Sequence, residues 1–347
     1  MIDFSTKVLI DLYHSAPVIE MSPKDKIVIF ADLHMGDGSV LDDFRRNSEF
    51  FKTILSGYYL KRGFRLILNG DVEDLQKFSY ESIKEKWAEI YAVFDEFDRK
   101  GDFFKNIGNH DELLYQRKSD GDQHRGIRLK FMDNDIFVFH GHQVQRLYMK
   151  HNYLAYFVVR YLLKTLRIKN KTAAYDSEKR FKVERRVYDF SSRHKIVSII
   201  GHTHRPLFES MSKINYLKFN IELLVRKYPT ASKPEKEKIE IKVREFKTEL
   251  ERCYSKGQYL HSSIYNVSIA IPCLFNSGCV IGKRGMTAIE IGNEQISLVH
   301  WFDSRRSNRD LQHFEYQPER FGDTNYYRVL LNTNFLSYVF SKIKLLT

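Results

Sequence analysis

Residues 27–34 read IVIFADLH, and this stretch decides the fold. Ile27, Val28, Ile29 and Phe30 run without a polar break, and the chain then turns abruptly into Asp32-Leu33-His34. A short β-favouring apolar run bounded by turn residues reads as a buried strand. The same arrangement recurs at 66–68, 103–107, 136–139 and 196–200, each run ending in a cluster of Asp, Asn, His and Gly. Amphipathic helical stretches at 42–61 and 79–100 separate the first three runs. Strand alternating with helix argues an α/β architecture. In such sheets ligands gather outside the carboxyl ends of the strands, where these polar clusters fall.

The clusters are Asp32-Leu33-His34, Gly70-Asp71-Val72-Glu73-Asp74, Gly108-Asn109-His110-Asp111, His140-Gly141-His142 and Gly201-His202-Thr203-His204. Alternate residues of an extended chain share a direction. Asp32 with His34, and His202 with His204, are therefore expected to reach one side. Asp71 brings two carboxylate oxygens that could bridge two ions, or could cap a turn. Asn109 offers a neutral oxygen, and His110 beside it could act as an acid. Alone, this segment reads equally well as a turn. Six of the 13 histidines lie in these clusters. Their recurrence, each after a strand, is what points to a metal-dependent site rather than to independent turns.

In that order the clusters resemble the calcineurin-like metallophosphoesterase superfamily. The resemblance runs from Ile27 to His204, with closing strands around 276–292. It implies a four-layer αββα sandwich and a hydrolase acting on phosphate mono- or diesters. It implies that Asp32, His34 and His204 hold one divalent ion, that Asn109, His140 and His202 hold the other, and that Asp71 bridges them. No ligand position departs from the pattern. His110 matches the catalytic His, oriented by Asp74, with Asp111 as a second possible orienter. His142 is extra, and with Arg205 it is expected to face substrate; Lys283 and Arg284 are weaker candidates. Mixed His and carboxylate ligands suit Mn²⁺ first, with Fe or Zn²⁺ as alternatives. Two such ions can clamp an in-line displacement at phosphorus and activate a water.

The chain reads as a single domain over 1–347 carrying two inserted segments. The first, 145–194, is basic and aromatic, with apolar residues at helical spacing over 147–166. In superfamily members that cleave UDP-linked lipid A precursors, a cap over the acyl chains occupies this place. Peripheral contact with a membrane, or a UDP-lipid pyrophosphatase-like activity, is the expectation it raises. Those enzymes carry Arg where this chain has His110. The second segment, 211–260, reads as an αα-hairpin of helices 214–227 and 236–254, split by Pro229 and Pro234. From 263 to 302 the pattern returns to strands.

The net charge of +12 favours anionic partners. A phosphorylated substrate is one. Nucleic acid is another, which keeps a nuclease of the same superfamily open, although no nucleic-acid module accompanies the charge. A non-catalytic scaffold fits poorly with a full ligand set. Three cysteines without paired spacing suggest neither a disulfide framework nor a zinc knuckle, and a reducing cytoplasm is expected. No stretch of about 18 apolar residues is present. Oligomeric state is not readable.

Overall fold

The structure is a computed structural model describing residues 4–117, 123–145, 177–210, 213–255, 271–306, 311 and 317–347. The apolar stretch 147–166 and most of the first inserted segment lie outside these residues. Two sheets form the body. One has eight strands in the order β12-β13-β11-β10-β2-β3-β4-β5, and the other has five in the order β1-β6-β7-β8-β9. The strands are β1 (Val18–Met21), β2 (Ile27–Phe30), β3 (Arg65–Asn69), β4 (Phe103–Asn106), β5 (Gln123–His124), β6 (Gly126–Phe131) and β7 (Asn134–Phe139). They continue with β8 (Val197–Ile200), β9 (Leu274–Asn276), β10 (Met286–Gly292), β11 (Gln295–Asp303), β12 (Glu319–Arg320) and β13 (Tyr326–Phe335).

All five expected strands are present. β2 is fully buried because both of its faces are covered. Ile27 and Ile29 point into the core shared with the five-stranded sheet. Val28 and Phe30 point the other way, against the helices on the outer face. Those helices are α2 (Ser48–Ile54), α3 (Tyr80–Lys86) and α4 (Ala88–Asp98). The five-stranded sheet is covered by α1 (Phe4–Ser15) and α6 (Ser177–His194), which contribute Leu9, Leu12, Val183, Val187 and Phe190 to the same core. The architecture is thus an α/β sandwich of two sheets flanked by helices. The remaining helices are α5 (Glu112–Arg117), α7 (Lys213–Lys227), α8 (Lys233–Ser255) and α9 (Leu336–Leu346). α7 and α8 pack on each other through Ile214, Leu217 and Cys253.

The first helical stretch is less regular than expected. Its helix begins at Ser48 rather than at 42, because the buried Asp42 carboxylate accepts the backbone N–H groups of Gly38, Phe44 and Arg45 instead. It then passes through a π-helical turn at Leu55–Tyr59 and a 3₁₀ turn at Leu60–Arg62. The second stretch breaks at Trp87, whose indole N–H donates to the Gly36 carbonyl at 2.7 Å.

β2, β3 and β4 run parallel in one sheet, and β7, β8 and β9 run parallel in the other. The polar clusters follow the carboxyl ends of five of these strands. Backbone pairing continues past the strand ends. Asp32 N–H donates to the Gly70 carbonyl, His34 N–H to that of Asp71, and Gly201 N–H to that of His140. The two sheets are tied together just beneath by buried amides. Asn69 Nδ2 donates to the Phe139 carbonyl at 2.9 Å, and Asn106 Nδ2 donates to Asn69 Oδ1 at 2.9 Å and to the Val138 carbonyl at 3.0 Å.

Candidate metal centre

The five clusters meet at one place. Three overlapping groups each bring potential ligand atoms within 4.8 Å of one another: Asp32, His34 and His204; His34, Asp71 and His110; and Asp71, His140 and His202. Asp71 and His34 each belong to two of the groups. Asp32 Oδ1 lies 3.0 Å from His204 Nε2, and Asp71 Oδ2 lies 3.2 Å from His140 Nε2. Asp32, Asp71 and His140 are buried, and His204 is partly open.

The backbone reaches this geometry differently from the alternation expected along an extended chain. Asp32, His34, Asp71, His202 and His204 all adopt left-handed conformations, with φ between 48° and 61°. Each such residue costs on the order of 1–3 kcal/mol and persists only where its surroundings hold it. Here two left-handed residues flank one ordinary residue in both Asp32-Leu33-His34 and His202-Thr203-His204. The outer side chains are thereby brought to the site, while Leu33 and Thr203 are buried away from solvent. Close approach also explains glycine at 108. A Cβ there would lie 2.1 Å from Asp71 Oδ1 and 2.4 Å from its backbone nitrogen.

The buried polar atoms fit cations. Asn109 Oδ1 is buried without a hydrogen-bond partner among the described residues, and Asp32 Oδ1 and His140 Nε2 make no well-aligned hydrogen bond although His204 and Asp71 lie 3.0 and 3.2 Å from them. A buried group in that state is costly unless something binds it. His34 Nε2 and His204 Nε2 approach to 3.1 Å, where at most one proton can sit between them. The Asn69 carbonyl can only accept, so the 2.8 Å contact fixes a proton on His140 Nδ1 and turns Nε2 toward Asp71. These donors suit divalent ions.

The charges balance in pairs. Burial works against charge on His140, but Asp71 and Asp32 outweigh it and push the imidazole up to about 9. His204 is likewise raised, against burial, by Asp32. Burial, with His140 beside it, pushes His202 down to about 3, so that ring stays neutral. Burial opposes charge on Asp71 and Asp32, yet the surrounding imidazoles hold both carboxyls below the usual range.

His110 Nδ1 lies 2.8 Å from Asp74 Oδ1, and Asp74 Oδ2 pairs with Lys77 Nζ at 2.8 Å. Asp111 does not orient the imidazole. Its carboxylate accepts the N–H groups of Val72 at 2.7 Å and Gly108 at 2.6 Å, fastening the Asp71 loop to the Asn109 loop. Burial, with Asp71 and Glu73 nearby, pushes this carboxyl up to about 7. His142 is buried beside His140 and His202, with Nε2 3.9 Å from Glu112 Oε2. Arg205 is partly buried, and its guanidinium is engaged by the buried Glu184. The Arg205 guanidinium therefore already has a protein partner. Lys283 and Arg284 are exposed, in the turn just before β10.

Several supporting residues were not singled out from the sequence. Lys105 Nζ pairs with Glu73 at 2.6 Å, inside the protein behind the Asp71 loop. Asn69 and Asn106 end their strands at matched register. A polar residue closing an apolar strand was the available signal. For Glu184 the signal was an acid within the apolar spacing Val183, Val187, Phe190.

No known family profile matches the chain, and no curated protein matches it. Among solved structures, a conserved uncharacterized protein from Streptococcus pneumoniae TIGR4, described as a predicted phosphoesterase, is similar at 10% identity, covering 81% of this chain and 91% of its own, with a TM-score of 0.30.

Proposed function

We propose that this chain is a metal-dependent phosphohydrolase that cleaves a phosphate mono- or diester. One observation carries the proposal: three groups of largely buried imidazoles and carboxylates converge, His34 linking the first to the second and Asp71 the second to the third. Asp32, His34 and His204 would hold one divalent ion, and Asn109, His140 and His202 the other, with Asp71 between them. Mn²⁺ is the ion we favour, with Fe or Zn²⁺ as alternatives. Divalent ions bound there would supply Lewis acidity toward the phosphoryl oxygens and acidify a water near neutral pH.

The remaining work falls to the protein's own groups. Asp74 accepts a hydrogen bond from His110 Nδ1, which directs Nε2 toward the cluster. Burial opposes charge on this ring, but Asp71 and Asp74 raise its pKa, so it retains a proton to give. Delivered to the departing alkoxide, that proton completes general acid catalysis. His110 also belongs to one of the three groups. Its assignment as acid rather than ligand rests on the Asp74 contact. Manganese-dependent release of p-nitrophenol from mono- and diester reporters, abolished by Asp71→Ala, tests the proposal. No release alongside no metal uptake would end it.

The expectation of peripheral membrane contact, placed on 145–194, falls mostly on residues outside the described ones; its described end, α6, packs its apolar face into the core. Among the described residues, no helix is long and apolar enough to cross a membrane.

A further inference from the structure

The His202-Thr203-His204 loop carries two left-handed residues, and something must hold it. The holding contacts come from two directions. Thr203 Oγ donates to Glu184 Oε1 at 2.9 Å and accepts from Asn276 Nδ2 at 2.9 Å. The same Asn276 amide donates to the Gly201 carbonyl at 2.9 Å. Glu184 also accepts from Arg205 through Nε at 3.2 Å and through Nη2, so its carboxylate spans both neighbours of His204.

Glu184 is 0% exposed and lies on the packed face of α6 with Val183, Val187 and Phe190. An acid at such a position needs a partner, and Arg205 with Thr203 supplies one. Helix α6 is fixed independently. Arg186 Nη1 donates to the Val144 carbonyl at 2.8 Å, and Ser191 Oγ to Ser198 Oγ at 2.7 Å. The helix is therefore a rigid platform from which one carboxylate reaches the loop that bears two candidate ligands.

We propose that Glu184, acting through Thr203 and Arg205, is a positioning residue that sets the affinity of the centre for its ions. This role presupposes the metal-dependent hydrolase proposed above. It couples the segment between the fourth and fifth clusters to the metal centre, so displacement of α6 weakens metal binding without touching a ligand.

Calorimetric titration of the full-length, metal-stripped protein with Mn²⁺ tests this, alongside the melting temperature of each metal-free variant. Thr203→Val keeps the side-chain shape and removes the hydroxyl; Glu184→Ala removes the carboxylate. Each is expected to weaken Mn²⁺ binding by about 10–100-fold, the usual cost of losing a group that supports a ligand. Thr203→Ser keeps the hydroxyl and should recover most of that affinity, whereas Glu184→Gln keeps the acceptor for Thr203 but sets an amide N–H against Arg205 Nη2 and should recover only the part carried by Thr203. Wild-type affinity in Thr203→Val and Glu184→Ala overturns the inference. So does a loss in all four variants that merely follows their lowered melting temperatures. If the wild type itself takes up no Mn²⁺, the proposed function falls and this role with it. Uptake by the wild type and equally by every variant removes this role alone.

Discussion

His110 Nδ1 and Asp74 Oδ1 stand 2.8 Å apart, with both side chains buried. The pair fixes which imidazole nitrogen faces the candidate centre, and it separates two roles for His110. As an acid, His110 replaced by Asn should leave metal content unchanged and slow turnover by about 10²–10⁴-fold. The loss should be largest for esters with poor leaving groups, which need the proton most. Metal analysis of the His110→Asn protein checks this. Loss of one ion would make His110 a ligand.

Asp74→Asn should act more mildly and in the same direction. The amide can still accept from Nδ1, but it no longer adds its charge to that of Asp71 in raising the His110 pKa. The falling limb of the pH–rate profile, where the acid loses its proton, should therefore move to lower pH. An unchanged limb would assign the acid elsewhere.

His140 gives the sign of a proton linkage. In the metal-free protein its imidazole is pushed up to about 9, so at pH 7 it is charged. A metal ligand must be deprotonated. Ion binding at pH 7 should therefore release a proton from His140 and another from His204, whose pKa is also raised, and affinity should rise with pH up to at least pH 9. Calorimetry in buffers of different ionisation enthalpy reads the proton count. Zero release at pH 7 would contradict both His140 and His204 as ligands, and release of a single proton would remove one of them.

Gly108 has no room for a methyl group, because the atoms it would meet include the Asp71 backbone nitrogen at 2.4 Å. Gly108→Ala should displace the Asp71 loop, costing about 1–3 kcal/mol of stability and more in metal affinity. Denaturant unfolding and metal analysis together should show both losses.

Lys105 and Glu73 form a buried pair, Nζ lying 2.6 and 2.7 Å from the two carboxylate oxygens. Lys105→Met leaves Glu73 buried without its cation and should cost about 3–5 kcal/mol. Adding Glu73→Gln should restore much of that, since the amide needs no counter-charge and can still accept from Tyr91, whose hydroxyl lies 2.8 Å from Glu73 Oε1. Denaturant unfolding of the single and double variants measures the difference.

The strands and clusters were legible because their signal is local: an apolar run such as 27–30 followed at once by Asp, His or Gly. The αββα arrangement and the convergence of the clusters came through the resemblance in their order. What stayed hidden depends on distant partners or on backbone shape. α1 and β1 were not anticipated. Nor was the ten-residue β13, which is mostly half-buried at its sheet's rim and lacks a clean alternation. The left-handed turns at Asp32, His34, His202 and His204 leave no mark in residue type, since Asp and His also occur in ordinary turns. Asp111 looked like a candidate orienter of His110. Only the fold shows its carboxylate spent on two backbone N–H groups.

The central claim is that Asp71 joins two ion-binding groups into one hydrolytic centre. The most direct measurement is release of p-nitrophenol from bis-p-nitrophenyl phosphate and p-nitrophenyl phosphate by metal-stripped protein, with and without Mn²⁺, beside Asp71→Ala. Manganese-dependent release by the wild type, with neither release nor full metal uptake by Asp71→Ala, is the predicted result. Absence of both metal uptake and release in the wild type, or equal release by Asp71→Ala, would contradict it.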